Sequence, residues 1–289
     1  MMISLGIRTV AGRLCSIALS VMIGGCATLP GPVDTAPPGR TYVAMGSSFA
    51  AGPGIAPMAQ PGDRCGRSTG NYAHQLARLR RLELIDVTCS GATTEHILGP
   101  WQDVPPQINA VTRDTALVTI TIGGNDVGYI GGLSWAACSR LPADRRDPRC
   151  KEAPAVTEQA WQSLAVSLRR VVSETRARAP SARIVLVDYL TVLPPTGTCA
   201  RIAMPADAAV ASRAVATRLA ALTASVARAA QVDVLRASRL SAGHGACAPD
   251  PWTSGFPSPD GPPVMVPFHP NLAGMTAVAQ ALDRLLQAR

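Results

Sequence analysis

The sequence predicts an α/β protein: a three-layer α/β/α sandwich with a five-stranded parallel sheet at its centre. Two observations carry this. Five apolar, β-rich runs recur along the chain, and helix-like stretches separate most of them. The runs are near-continuously apolar rather than alternating, the pattern of strands covered on both faces.

The runs fall at 42–45, 84–88, 116–122, 184–189 and 232–235. In the third, Val118, Ile120 and Ile122 repeat on one face. Helical spacing predicts helices at 72–82, 156–179, 207–231 and 271–287. Residues 239–268 form a long Pro/Gly-rich segment, and a loop of that length in a compact domain is usually functional. It is read as a pocket wall. No internal repeat and no second-domain boundary interrupts 41–289, which is expected to be one domain.

Composition agrees. At 289 residues, 47% hydrophobic and 16% charged, the chain has enough apolar surface for a sizeable core and is too apolar for global disorder. Its formal charge is +8, carried almost wholly by arginine, with Lys151 the single lysine. The basic residues are dispersed and aromatics make up only 4%, so a nucleic-acid partner is not expected. A dispersed cationic surface suits an anionic envelope or lipid layer as well.

The first 25 residues read as a signal peptide. Arg8 and Arg13 precede an apolar run at 14–23 that is too short to span a bilayer. Ile23-Gly24-Gly25-Cys26 then resembles a bacterial lipobox, in which Cys26 would be lipidated. The favoured leading Leu is replaced by Ile, and an ordinary signal peptide cut near Ala27 is the plainer alternative. Both readings export the protein, and a lipidated Cys26 would tether it to a membrane. Cleavage before Cys26 would lower the charge from +8 to +6. Residues 26–40 then read as the lipobox cysteine and a Pro/Gly-rich tether.

Export changes the meaning of the cysteines. Cys15 and Cys26 belong to the leader region; Cys65, Cys89, Cys138, Cys150, Cys199 and Cys247 remain. An even set in an oxidising compartment implies disulfides, for which six cysteines allow about fifteen pairings. A zinc site is the competing reading, but no CxxC or HxxxH spacing supports it. No metal and no cofactor is expected.

Three distant segments carry the chemistry: Gly46-Ser47-Ser48-Phe49-Ala50, Gly123-Gly124-Asn125-Asp126 and Phe268-His269-Pro270-Asn271. They offer a hydroxyl, a side-chain amide and an imidazole. Ser48 follows the first predicted strand, Gly91 the second, Asn125 the third, and His269 the fifth with its long loop. All four therefore fall beyond the carboxyl ends of parallel strands, where open α/β sheets bind ligands. A serine hydroxyl needs a base, and His269 has the pKa range for it. The backbone N–H groups of Ser48 and Gly91 and the amide of Asn125 form a plausible oxyanion hole. Glycine suits position 91 because backbone must approach the substrate there.

In order and spacing these segments resemble the SGNH (GDSL-type) hydrolase family, over about residues 42–287. The resemblance implies a flavodoxin-like fold, a Ser48 nucleophile, and the glycine, asparagine and histidine roles at Gly91, Asn125 and His269. It also implies the sequential disulfides Cys65–Cys89, Cys138–Cys150 and Cys199–Cys247, as in bacterial secreted lipases of the family. Two departures stand out. Ser47 replaces the family's Asp, which is not the general base. Val266 occupies the place three before the histidine, where the family often has an Asp. Some family lipases use a main-chain carbonyl instead, so the Val266 carbonyl is expected to orient the imidazole in a Ser–His dyad. Asp250 and Asp260 are the alternative triad acids.

Other residues have plainer readings. Gly66-Arg67-Ser68-Thr69-Gly70 fits GxSxG, but that elbow needs a strand before it, and 56–64 carries none. Ser68 is therefore a loop serine. His74 is a surface or boundary residue, His244 a loop residue, and His96 structural unless it borders the pocket. Tyr129 and Trp135 either line an acyl pocket or pack at a boundary. The arginine face of 207–231 is solvated.

The expectation is an exported, monomeric serine ester hydrolase acting on carboxylic, mainly lipid acyl, esters. A carbohydrate O-deacetylase, a thioester hydrolase and a non-catalytic envelope lipoprotein are the alternatives.

Overall fold

A computed structural model describes residues 40–148, 150–256 and 266–288. The leader, Cys26, the tether up to residue 39 and Asp260 lie outside the described residues.

Among the described residues the five strands are β1 (Thr41–Gly46), β2 (Glu83–Asp86), β3 (Thr115–Thr121), β4 (Arg183–Val187) and β5 (Asp233–Leu235). They form one sheet of order β2-β1-β3-β4-β5, and every neighbouring pair is parallel. This is the flavodoxin-like order, which reverses direction between β1 and β3. β3 is buried along its whole length, whereas β2, at the edge, alternates exposed and half-buried residues. The threonines of β3 are satisfied inside the core. Tyr42 Oη lies 2.7 Å from Thr119 Oγ1, and Tyr72 Oη 2.8 Å from Thr121 Oγ1.

The described residues form eight α-helices: α1 (Ser48–Ala51), α2 (Tyr72–Arg80), α3 (Thr94–Leu98), α4 (Tyr129–Cys138), α5 (Glu158–Arg178), α6 (Ala206–Ala229), α7 (Ala237–Leu240) and α8 (Leu272–Gln287). α2 packs against α8, and α5 against α6, giving the two helical layers. The long helices bury one face each. In α5 that face includes Trp161, Leu164, Leu168, Val171 and Val172. They begin on side-chain caps where the sequence offers them: Asn71 for α2, Thr157 for α5 and Asn271 for α8.

The four predicted helices and all five strands lie within two residues of their expected bounds at every terminus. The short helices α1, α3, α4 and α7 were not expected. Each is a single turn or a Gly-rich segment, too short or too weakly periodic for the pattern to register.

Three disulfides join Cys65 to Cys89, Cys138 to Cys150 and Cys199 to Cys247. The first ties the loop before α2 to the loop after β2, and Ser90 N donates to Cys65 O at 3.0 Å beside it. Among the described residues no helix is long and apolar enough to cross a membrane, and no cluster of three or more His, Cys, Asp or Glu side chains could hold a metal.

Candidate active site

The sheet's reversal point lies at the carboxyl ends of β1 and β3, and both segments that follow these strands carry candidate residues. β1 ends at Gly46, whose φ is +147°. A Cβ there would lie 2.4 Å from the Thr121 carbonyl oxygen, so the sharp passage from strand to helix requires glycine. Gln107 clamps the turn, its Oε1 accepting from Gly46 N at 2.7 Å and its Nε2 donating to Gly46 O at 3.0 Å. Ser47 then occupies the N-cap position of α1 without a side-chain capping bond, and Ser48 is the first residue of that helix. An N–H in a first helical turn has no intrahelical acceptor, so the Ser48 amide is free to face a ligand.

Ser48 Oγ lies 2.7 Å from His269 Nε2, across 221 positions of sequence. Both residues are over nine-tenths buried. His269 Nδ1 lies 2.7 Å from the Pro267 carbonyl oxygen. A carbonyl only accepts, so Nδ1 carries the proton and Nε2 is left bare to accept from the serine hydroxyl. Burial holds the imidazole pKa below its ordinary 6.5, against the smaller opposing pull of the Pro267 carbonyl. The ring is thus neutral and correctly tautomerised for a base.

The orienting carbonyl was expected at Val266, and the structure corrects this. Phe268 adopts φ +59°, a left-handed conformation that turns the chain back so that the carbonyl two residues before the histidine meets its ring. Phe268 is fully buried and stacks on Phe256 at 5.8 Å, which holds the unfavourable backbone in place. The Val266 carbonyl is occupied elsewhere, accepting from Ser254 Oγ at 2.7 Å. Ser254 Oγ in turn accepts from His269 N at 3.1 Å, and Ser254 N donates to His269 O at 2.8 Å. Ser254 therefore clamps the histidine turn from both sides. No motif marks it; only the long loop from 239 hinted that something there mattered. Its described part acts as a buttress for His269.

Of the two candidate acids only Asp250 lies among the described residues, and its carboxylate is engaged away from the His269 ring. Asp250 pairs with His244 Nδ1 at 3.0 Å and is largely exposed.

The remaining two groups lie on loops that are joined to each other. Asn125 Nδ2 donates to the Ala92 carbonyl at 2.8 Å, one residue past Gly91. That bond uses one of its two amide hydrogens and leaves the other for a ligand. Gly91 is exposed and has φ +89°. A Cβ there would lie 2.8 Å from Trp101 Cη2, so the indole is a second reason for glycine, beyond the expected approach of substrate. Asp126, the last residue of the Gly-Gly-Asn-Asp segment, accepts from Thr94 N at 3.1 Å and from Thr94 Oγ1, tying the asparagine loop to the start of α3. Burial raises its pKa, with the Thr94 hydrogen bonds opposing.

Tyr189, just past β4, was not singled out by the sequence. Its hydroxyl accepts from Gly124 N at 2.8 Å and lies 3.2 Å from Ser47 Oγ. This explains why Ser47 is compatible with the site: its hydroxyl serves Tyr189, not the imidazole. The Tyr189 ring lies 4.7 Å from Phe49, which lies 5.3 Å from the His269 ring.

The other candidates are structural. Ser68 is fully buried, accepts from Gly70 N at 2.8 Å and lies 3.3 Å from Pro57 O, with no imidazole partner. His96 accepts from Thr93 N at 3.0 Å and stacks on Trp101 at 4.3 Å. His244 stacks on Trp252 at 3.9 Å, and His74 lies 3.7 Å from Asp86. Trp135 is half-buried in α4.

The chain matches the GDSL-like lipase/acylhydrolase family over residues 44–277. It is 30% identical over 258 residues to Lipase 2 of Streptomyces coelicolor, covering 85% of each chain. An esterase of Streptomyces scabiei is 28% identical over 226 residues, 65% of each chain. In structure it is similar to an extracellular lipase of Streptomyces rimosus, with a TM-score of 0.68 and 26% identity over 85% of this chain and 99% of that one. With this family match laid over a flavodoxin-like sheet and a serine–histidine pair at its reversal point, the chain belongs to the GDSL-like lipase/acylhydrolase family and is a carboxylic ester hydrolase of the SGNH fold.

Proposed function

We propose that the protein is an exported lipase/esterase that cleaves lipid acyl esters through an acyl-enzyme on Ser48. The observation that carries this is the 2.7 Å contact between Ser48 Oγ and a neutral His269 whose other nitrogen is held by Pro267. His269 Nε2 takes the hydroxyl proton as Oγ attacks the ester carbonyl. The oxyanion is met by the Ser48 N–H, the Gly91 N–H and the free hydrogen of Asn125 Nδ2, each worth about 10²–10³ in rate in comparable sites. Collapse of the tetrahedral intermediate releases the alcohol, which takes the proton from His269. Water then repeats the cycle in reverse and frees the carboxylic acid.

Lipid preference is supported by relatives named lipases. Export is supported by the predicted leader and by three disulfides, which belong to oxidising compartments. Lipidation at Cys26 would place the enzyme on a membrane.

A fluorophosphonate probe tests the nucleophile: the native chain should be labelled and the Ser48→Ala chain should not. A series of p-nitrophenyl esters tests the substrate class. Turnover rising from acetate to long acyl chains is the expected result; a strict acetate preference would replace the lipase reading with an O-deacetylase.

A further inference from the structure

A cavity of about 600 Å³ opens between α6, α7 and the segment following β4. Neither Ser48, Gly91, Asn125 nor His269 borders it. Its inner wall includes Tyr129 and Tyr189, and its apolar lining comes from residues such as Leu190, Val192, Leu193 and Ala216. Val210, also in the wall, leaves 60% of its surface exposed.

Two features separate this cavity from an ordinary packing defect. First, its charge is one-sided. Arg213, Arg236 and Arg239 line it, and no carboxylate does among the described residues. Arg236 is compensated by the buried Asp188 at 3.0 Å. Among the described residues Arg213 donates only to the main-chain carbonyls of Pro194 and Gly197, at 3.3 and 3.0 Å. Arg239 has no ion pair among the described residues. The arginine face of α6, expected to be simply solvated, thus contributes Arg213 to a concave site. Second, Tyr129 is 3% exposed, lines the cavity, and its hydroxyl makes no hydrogen bond among the described residues. The phenol oxygen, unbonded but not sealed from solvent, is available to a polar atom in the cavity.

We propose that this cavity is a second ligand site, for a long-chain carboxylate, separate from the catalytic serine. The alkyl chain occupies the apolar wall, and the carboxylate takes charge-assisted hydrogen bonds from Arg213 and Arg239. The volume suits a single acyl chain. Tyr189 forms a wall shared with the reaction centre. Its ring faces the cavity, and its hydroxyl holds Gly124 and Ser47 beside Asn125 and Ser48. Occupancy therefore packs against the residue that sets the spacing of these two loops. The ligand is also the product class of the proposed reaction, so the site would report product accumulation, but binding itself does not depend on that reaction.

Decanoate binding is measured by calorimetry on the full Ser48→Ala chain, with 1-decanol and butyrate as uncharged and truncated comparisons. Decanoate should bind, with decanol at least about tenfold weaker, the factor expected for losing one charge-assisted bond, and butyrate, short of six methylenes, at least about a hundredfold weaker. Arg239→Gln, an exposed change with little bearing on folding, should weaken decanoate severalfold and leave decanol unchanged. Ala216→Phe, which fills the cavity, should abolish binding. Decanol binding as tightly as decanoate, no binding at all, or indifference to both Arg239→Gln and Ala216→Phe overturns the proposal. Binding to phosphatidylglycerol vesicles without binding to monomeric decanoate also overturns it, in favour of a membrane surface. Should the native chain fail to hydrolyse esters while decanoate binding follows this pattern, only the proposed function falls; the opposite result removes only the second site.

Discussion

His269 is oriented by Pro267, a residue two positions away with no titratable group. Its Nδ1–H donates to that carbonyl at 2.7 Å, where a carboxylate would stand in a triad. A carbonyl fixes the tautomer as a carboxylate does, but it contributes only a dipole to the imidazolium that forms during turnover. The hydrogen bond is local, so its geometry depends on the backbone turn at Phe268 and on what holds that turn.

The first consequence concerns the acids. Asp250→Ala should retain most activity, because its side chain is engaged with His244. Asp260→Ala is expected to do the same. Ser48→Ala and His269→Ala should each lower kcat by at least about 10³. A thousandfold loss on removing either aspartate, measured with a soluble p-nitrophenyl ester, would replace the dyad by a triad.

The pH profile follows from the burial of the imidazole. Only neutral His269 can accept the serine proton. Its pKa is held below 6.5, so the neutral form prevails at and above that pH. kcat/KM should be flat near neutrality and fall on acidification with a midpoint below 6.5. A midpoint above 6.5 would mean that a nearby negative charge outweighs desolvation.

Asn125 should separate binding from chemistry. Asn125→Ala removes a proposed oxyanion donor and the bond to Ala92 O together, and kcat should fall by about 10²–10³ with a much smaller change in KM. Fluorophosphonate labelling of Ser48 should slow but persist. Unchanged kcat would exclude the amide from the oxyanion hole.

Ser254 is the positioning residue that the geometry adds. Ser254→Ala leaves the Val266 carbonyl and the His269 N–H without their hydroxyl partner, a loss of about 1–3 kcal/mol in stability for buried groups. If Ser254 acts by holding the histidine turn, kcat should drop about tenfold while KM stays put, and Ser254→Thr should restore most of it. A variant that loses thermal stability but keeps its kcat would show a purely structural role.

Much of this architecture was legible before any coordinates. Strands β1 and β3 are apolar enough to demand cover on both faces, and their ends and following segments carry Gly46, Ser48, Gly123 and Asn125, residues whose backbone freedom or polarity suits a strand terminus. The short helix α1 was missed because four residues cannot show a helical period. Tyr189 was missed for a related reason. It reads as one more apolar residue at the end of β4, and its value lies in a hydroxyl that meets Gly124 and Ser47 only after folding.

Local chain chemistry was therefore sufficient for the fold class, the strand edge at which the reactive groups gather, and the identities of Ser48, His269, Gly91 and Asn125 as candidates. Hydrophobic periodicity and turn-forming residues act over a few positions, and the sequence displays them directly. Which carbonyl holds His269, which hydroxyl braces the two loops, and which arginines turn into a cavity were decided only by the packed molecule. The first two join residues from 2 to 142 positions apart, and the turn at His269 depends on a backbone torsion, the left-handed Phe268, that no side-chain pattern announces.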